Sequence, residues 1–193
     1  MDRRTFVKAV GAAGGCFLSM GKLRAEEAAS CEFCGILVDT TRCIGCRKCE
    51  LACAEFQNLP EPDLGAEAIE RERETTATQL TVVNNHQTEA GYAFLKRQCM
   101  HCNQPACAAA CLTRAMLKTR EGPVIWREDQ CMGCRACMLS CPFDVPKFEY
   151  HSAIPKIAKC DLCRERLQNG QQPACVDACP AGALLFGKRR DLL

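Results

Sequence analysis

An α+β fold of two small modules, one nested inside the other and built of short hairpins and short helices, is predicted by three observations on this 193-residue sequence. Sixteen of the nineteen cysteines fall into four groups of four between Cys43 and Cys179. Between the second and third groups, Ala115-Met116-Leu117-Lys118 and Val124-Ile125-Trp126 flank Glu121-Gly122-Pro123, the pattern of a hairpin with its turn residues in place. Candidate strands Ile36-Leu37-Val38 and Ala183-Leu184-Leu185-Phe186 stand just before the first group and just after the fourth. Pairing these distant strands closes an outer module, residues 35–54 and 155–190, around an inner module, residues 91–150. Residues 55–90 are then an insertion. It opens on the acidic Pro60-Glu61-Pro62-Asp63, with a short helix expected over Ala66 to Arg73 and a strand over Leu80-Thr81-Val82-Val83.

Cysteine spacing selects the chemistry. The first group reads Cys43-x2-Cys46-x2-Cys49-x3-Cys53, and the third repeats it as Cys131-x2-Cys134-x2-Cys137-x3-Cys141, with Pro142 directly after. The second (Cys99, Cys102, Cys107, Cys111) and fourth (Cys160, Cys163, Cys175, Cys179) keep the leading C-x2-C and the closing C-x3-C. In such a run three thiolates close on one [4Fe–4S] cluster and the fourth reaches a neighbouring one. A disulfide scaffold calls for an even count in a small secreted chain. Structural zinc takes two C-x2-C pairs and needs no third cysteine three residues further on. Four [4Fe–4S] clusters are the expected cofactors, electron transfer is the expected work, and each module is expected to be a bicluster unit like a bacterial ferredoxin.

Because the fourth cysteine serves the other cluster of its pair, the nested arrangement assigns the ligands. Cluster 1 takes Cys43, Cys46, Cys49 and Cys179, and cluster 4 takes Cys160, Cys163, Cys175 and Cys53. In the inner module, cluster 2 takes Cys99, Cys102, Cys107 and Cys141, and cluster 3 takes Cys131, Cys134, Cys137 and Cys111. Proline after Cys141 and Cys179 turns the chain away, since it cannot continue a helix. Ala54 and Leu112 stand in that place after the other two.

Composition agrees. One Trp and two Tyr leave little for a large core, but metal-ligand bonds turn binding energy into folding energy in small domains. The formal charge of +2 counts cysteine as neutral; four clusters of about −2 each bring the loaded protein to about −6. Arg42, Arg47, Lys48, Arg135, Lys159 and Arg164 flank the ligands and are expected to offset that charge. No aromatic residues interleave with them, so a nucleic-acid partner is not expected.

Residues 1–30 read as a targeting segment. Arg3-Arg4-Thr5-Phe6-Val7-Lys8 precedes a short, glycine-rich apolar stretch from Ala9 to Met20, the form of a twin-arginine signal. That route carries proteins already folded, which suits clusters inserted in the cytoplasm. Cleavage is expected near Ala25 or Ala29, neither a clean site. No later stretch has the roughly 18 unbroken apolar residues of a membrane span. A periplasmic protein held at a membrane by a partner is the expectation.

The four-group layout, with Gly91-Tyr92-Ala93-Phe94 leading into Gln98-Cys99-Met100-His101-Cys102 and a closing Cys179-Pro180-Ala181-Gly182-Ala183, resembles the four-cluster ferredoxin subunits of the dimethyl-sulfoxide-reductase and formate-dehydrogenase type. Within that family it is most similar to the exported iron–sulfur subunits of hydrogenase-2 type. The resemblance spans Gly35 to Gly187. It implies a relay between a catalytic subunit, of hydrogenase or molybdopterin type, and an integral, quinone-reactive membrane subunit. The hydrogenase-type relatives continue into a membrane-anchoring tail, whereas this sequence stops at Leu193; anchoring through a partner, or a truncated chain, is expected.

Three cysteines remain. Cys16 lies in the apolar part of the signal, and Cys31-Glu32-Phe33-Cys34 is a spare C-x2-C without the histidine that haem attachment needs. Among the histidines, only His101 lies inside a cysteine run, where hydrogen bonding to sulfur and plain packing are both open readings. No phosphate-binding loop or nucleophile beside a base is present, so no catalysis of the chain's own is expected. A free-standing periplasmic carrier is the alternative to a relay subunit.

Overall fold

The computed structural model describes residues 33–89, 91–152 and 156–192; the signal segment, with Arg3, Arg4, Cys16 and Cys31, lies outside them. In chain order the elements are β1 (Cys34–Val38), α1 (Lys48–Phe56), α2 (Ala66–Glu70), β2 (Val82–Thr88), β3 (Gly91–Arg97), α3 (Ala106–Ala109), β4 (Met116–Lys118) and β5 (Val124–Trp126). A 3-10 turn at Glu128–Gln130 follows, then α4 (Ala136–Leu139), β6 (Lys147–Phe148), β7 (Ile157–Ala158), α5 (Arg164–Gln168), α6 (Ala174–Asp177), β8 (Leu184–Lys188) and α7 (Arg189–Leu192). The strands form four two-stranded antiparallel sheets. This is the α+β class of short hairpins and short helices that the cysteine pattern predicts.

β1 pairs with β8, Ile36 opposite Phe186 and Val38 opposite Leu184, so the two ends of the described chain lie side by side. Alternate residues of this ribbon, Ile36, Val38, Leu184 and Phe186, pack with Val176 and Cys175 into one core cluster, as the two-residue period of a strand requires. The second cluster gathers Cys107, Met116, Val124, Phe148 and Ile157. It lies under the β4–β5 hairpin, where Met116 faces Trp126 and Lys118 faces Val124. Gly122 in its turn has φ 123°, and an added Cβ would meet the Cys34 carbonyl at 2.8 Å. Only glycine fits there.

The insertion departs from the sequence reading in two ways. Its helix stops at Glu70 and not Arg73, because Arg71 is already extended (φ −96°, ψ 137°). Arg73 then runs as a strand-like segment beside Asn84: Arg73 N donates to Asn84 Oδ1 at 3.1 Å, and Asn84 Nδ2 returns a bond to Arg73 O at 2.8 Å. The strand runs Val82–Thr88 and pairs with Gly91–Arg97. The hairpin therefore crosses the expected boundary between residues 90 and 91. The sequence Glu89-Ala90-Gly91 carries none of the strong punctuation of Asn-Gly or Pro-Gly, so the sequence pattern does not reveal this hairpin.

A buried carboxylate ties the insertion to α1. Glu50 is 2 % exposed and accepts Arg73 Nη1 and Nη2 at 3.0 and 2.7 Å, Gln79 Nε2 at 2.8 Å and Val83 N at 2.6 Å. Arg47 closes the other side, its guanidinium donating to the carbonyls of Asp63, Leu64 and Gly65. Removing one partner of a buried pair leaves an uncompensated charge. Arg73→Met is expected to destabilise the iron-loaded protein by about 3–5 kcal/mol in a denaturant titration. A change below about 1 kcal/mol would mean that Gln79 and Val83 suffice for Glu50.

Candidate metal centres

All four C-x2-C loops use one backbone device. The residue before the second cysteine is left-handed in each: Gly45 (φ 66°), His101 (φ 45°), Gly133 (φ 71°) and Leu162 (φ 62°). Glycine adopts this conformation freely; a side chain there costs about 1–3 kcal/mol. At Gly45 space forbids one as well, since a Cβ would lie 2.5 Å from the Phe94 ring. The loops of groups one and three turn left-handed again at Arg47 (φ 56°) and Arg135 (φ 63°), which open α1 and α4.

Each group's third cysteine then lies on a short helix: Cys49 on α1, Cys107 on α3, Cys137 on α4 and Cys175 on α6. Cys53 follows one turn later on α1, while Cys111, Cys141 and Cys179 stand just past the ends of α3, α4 and α6. These helices pack in two pairs, α1 on α6 and α3 on α4. That pairing carries each fourth cysteine towards the opposite group.

Two cavities display the result. One is lined by Cys43, Cys46, Cys49 and Cys179, together with Ile44, Arg47, Val83 and Lys96. The other is lined by Cys111, Cys131, Cys134 and Cys137, with Trp126, Met132, Arg135 and Phe148. Elsewhere Cys53 feels the charges of Cys175 and Cys163, Cys160 those of Cys99 and Cys53, and Cys107 those of Cys99 and Cys141. Among the described residues no three Cys, His, Asp or Glu side chains converge closely enough for a single ion. A four-iron cube holds its thiolates farther apart than one zinc does, and thiolates are the soft donors that iron–sulfur clusters take. Four thiols in each group are the donor set that such a cube takes.

Backbone and side-chain donors already face the sulfurs. Met116 N points at Cys111 Sγ at 3.4 Å, Ala183 N at Cys179 Sγ at 3.3 Å, and Leu162 N at Cys160 Sγ at 3.4 Å. Burial pushes the Cys49 and Cys53 thiols up to about 12, against the pull of Lys96. Cys137 and Cys163 rise to about 11, chiefly through burial. At Cys111 desolvation again pushes upward, but the donors of Met116 and Thr113 together outweigh it, and this thiol falls below the ordinary range. Thiols as resistant to ionisation as Cys49 and Cys53 surrender their protons only to metal, so loading the centres releases protons.

The basic residues divide differently from the flanking set expected to offset the clusters. Arg47 is buried on the carbonyls of residues 63–65, and Arg135 stands 5.0 Å over the rings of Phe148 and Tyr150. Lys159 does lie inside, donating to Val124 O and, at 2.6 Å, to Cys160 O. Sequence reasoning missed Lys96. It is buried on β3 and donates to Gln98 Oε1. Burial lowers its pKa, but the sulfurs of Cys175, Cys49, Cys160 and Cys53, when ionised, outweigh that and raise it. Its signal was a lone lysine ending the apolar run Tyr92-Ala93-Phe94-Leu95.

Paired helices, left-handed cysteine loops and thiol-lined cavities define an iron–sulfur protein of the two-cluster ferredoxin kind. The chain belongs to the 4Fe-4S dicluster domain family, which matches residues 42–115 and 90–189. It is 44% identical to a protein of Nitratidesulfovibrio vulgaris across the whole chain and 55% of that relative. It is 38% identical to the hydrogenase-2 operon protein HybA of Escherichia coli O157:H7, across the whole chain and 64% of HybA. Over 79% of its length it is 40% identical to the B subunit of the anaerobic dimethyl sulfoxide reductase of Haemophilus influenzae, covering 72% of that protein. The chain thus spans a little over half to about two thirds of the first two relatives. None of its described helices is long and apolar enough to cross a membrane.

Proposed function

We propose that this chain is the electron-relay subunit of a multi-subunit oxidoreductase, with four [4Fe–4S] clusters held by the crossed cysteine sets and no catalysis of its own. Each cluster, when bound, accepts and returns one electron. The protein's part is to line the sets up, insulate them and expose the right ends. Cys53 and Cys49 on α1 link set 1 to set 4, the approach of His101 in the Cys99–Cys102 loop to Cys160 Sγ links set 4 to set 2, and the packing of α3 on α4 links set 2 to set 3. The order along this row is 1, 4, 2, 3.

One observation carries the reading. Among the described cysteines only Cys46 and Cys134 are exposed, and they belong to sets 1 and 3, the two ends of the row. The buried cysteines, Cys53, Cys107, Cys163 and Cys175, all belong to the middle sets. A carrier with one docking face needs a single exposed end; a relay between two partners needs two. The relatives' names, a hydrogenase-2 operon protein and a subunit of a dimethyl sulfoxide reductase, support a catalytic partner of hydrogenase or molybdopterin type and a quinone-reactive membrane subunit. The Arg3-Arg4 segment supports folded export to the periplasm.

Gentle affinity purification from membranes is expected to recover a catalytic and a membrane subunit with this chain. A monodisperse monomer that alone restores electron flow to depleted membranes would overturn the relay in favour of a diffusing carrier.

A further inference from the structure

The loop from Cys99 to Cys102 belongs to the inner module, yet its histidine reaches a cysteine of the outer one. His101 Nε2 lies 3.5 Å from Cys160 Sγ, and Nδ1 accepts the Val124 backbone N–H at 2.9 Å. A ring nitrogen that accepts a hydrogen bond carries no proton, so the proton of the neutral imidazole sits on Nε2 and faces the sulfur. With Nδ1 taken up as an acceptor, the ring is neutral and Nε2–H is its one donor. Lys118 Nζ also donates to the His101 carbonyl at 2.7 Å, which fixes the loop behind the ring.

The position itself argues for a role. Two of the four equivalent loops carry glycine here, at Gly45 and Gly133, and glycine would build the same left-handed turn without strain. His101 adopts φ 45° and is 7 % exposed. The turn therefore does not require the imidazole; the cross-module contact does.

We propose that His101, as the neutral Nε2–H tautomer, donates a hydrogen bond to the Cys160 thiolate and raises the reduction potential of the cluster that Cys160 ligates. A residue on the loop of set 2 thereby tunes set 4. The sign follows from charge. Reduction adds negative charge shared by the ligating sulfurs, and an N–H aimed at one of them stabilises the more negative state. This rests on the ligand sets proposed above.

Three variants and one spectroscopic measurement test it. The signal altered by Cys160→Ser identifies the cluster in a redox titration followed by electron paramagnetic resonance. His101→Gly, which suits the turn, and His101→Phe, which keeps a ring without donors, are each expected to retain full iron content. Both are expected to lower that cluster's reduction equilibrium constant about tenfold, or about 59 mV for one electron, and to leave the other clusters unmoved. In unmodified protein labelled with nitrogen-15 histidine, pulsed measurements are expected to show a nitrogen and an exchangeable proton coupled to the same signal. That measurement decides the matter if the variants fail to load. An unmoved midpoint, a shift confined to the cluster of Cys99 and Cys102, or no nitrogen coupling would overturn the inference. If Cys160→Ser alters no signal, the ligand sets fail; if it does and His101 has no effect, only the present inference fails.

Discussion

Stripping the iron from this protein is expected to unfold it, with loss of most of its helical and sheet signal and of its cooperative transition. The reason lies in how little else holds the chain. Its sheets are pairs of strands, and an isolated two-stranded hairpin is marginal in water. Three of the four helices that carry the third cysteines are four residues long, α3, α4 and α6, far below the length at which a helix persists alone. Both core clusters include proposed ligand cysteines, Cys107 in one and Cys175 in the other, so the apolar core and the proposed metal centres are the same places. Stability of the usual 5–15 kcal/mol is thus expected to come largely from the ligand bonds. Acid-labile sulfide, iron content and circular dichroism followed together during chelation under reducing conditions check this. An apo-protein that still melted cooperatively near the temperature of the loaded one would refute it.

Crossed ligation makes the second large prediction. Cys53 lies in the first cysteine group but is assigned to the cluster of Cys160, Cys163 and Cys175. Cys53→Ala and Cys160→Ala are therefore expected to abolish or transform the same paramagnetic signal on reduction. Cys43→Ala and Cys179→Ala are expected to share a different one. An arrangement in which each group closes its own cluster predicts instead that Cys53→Ala resembles Cys43→Ala. The comparison is made between variants, so it survives magnetic coupling between neighbours. Indistinguishable Cys53 and Cys43 variants, both unlike Cys160→Ala, would refute the crossed sets and the outer pairing on which they rest.

The metal chemistry was legible in the sequence because it is written in spacing. C-x2-C and C-x3-C each confine two thiols to one turn of backbone, so the sixteen candidate ligands could be named without coordinates. The hairpin over Ala115 to Trp126 was legible from its Gly-Pro turn, and the strands 36–38 and 183–186 from their places outside the cysteine groups. What stayed hidden depends on contacts between distant residues. Lys96 looks like an ordinary strand lysine until β3 is laid against the thiols of Cys49 and Cys175. Glu50 looks like a solvated helix residue until Arg73, Gln79 and Val83 are folded over it. Lys147–Phe148 and Ile157–Ala158 pair across the inner–outer boundary as strands of two residues, too short to leave any periodicity in sequence.

The pairing of β1 with β8 has a consequence for the order of assembly. A ribosome delivers groups two and three close together, so the inner ligand sets become complete while synthesis is still under way. Group one emerges first of all, yet sets 1 and 4 stay short of a thiolate until Cys175 and Cys179 have been made, and β1 has no strand to pair with before Leu184 to Lys188. On the ligand sets proposed above, the outer module would act as a check on chain completion. A polypeptide cut short before Cys175 keeps an open ribbon and incomplete outer sets, whatever its inner module has achieved. On the folded-export route proposed above, such a chain would remain in the cytoplasm, where proteases and cluster-assembly factors can still reach it.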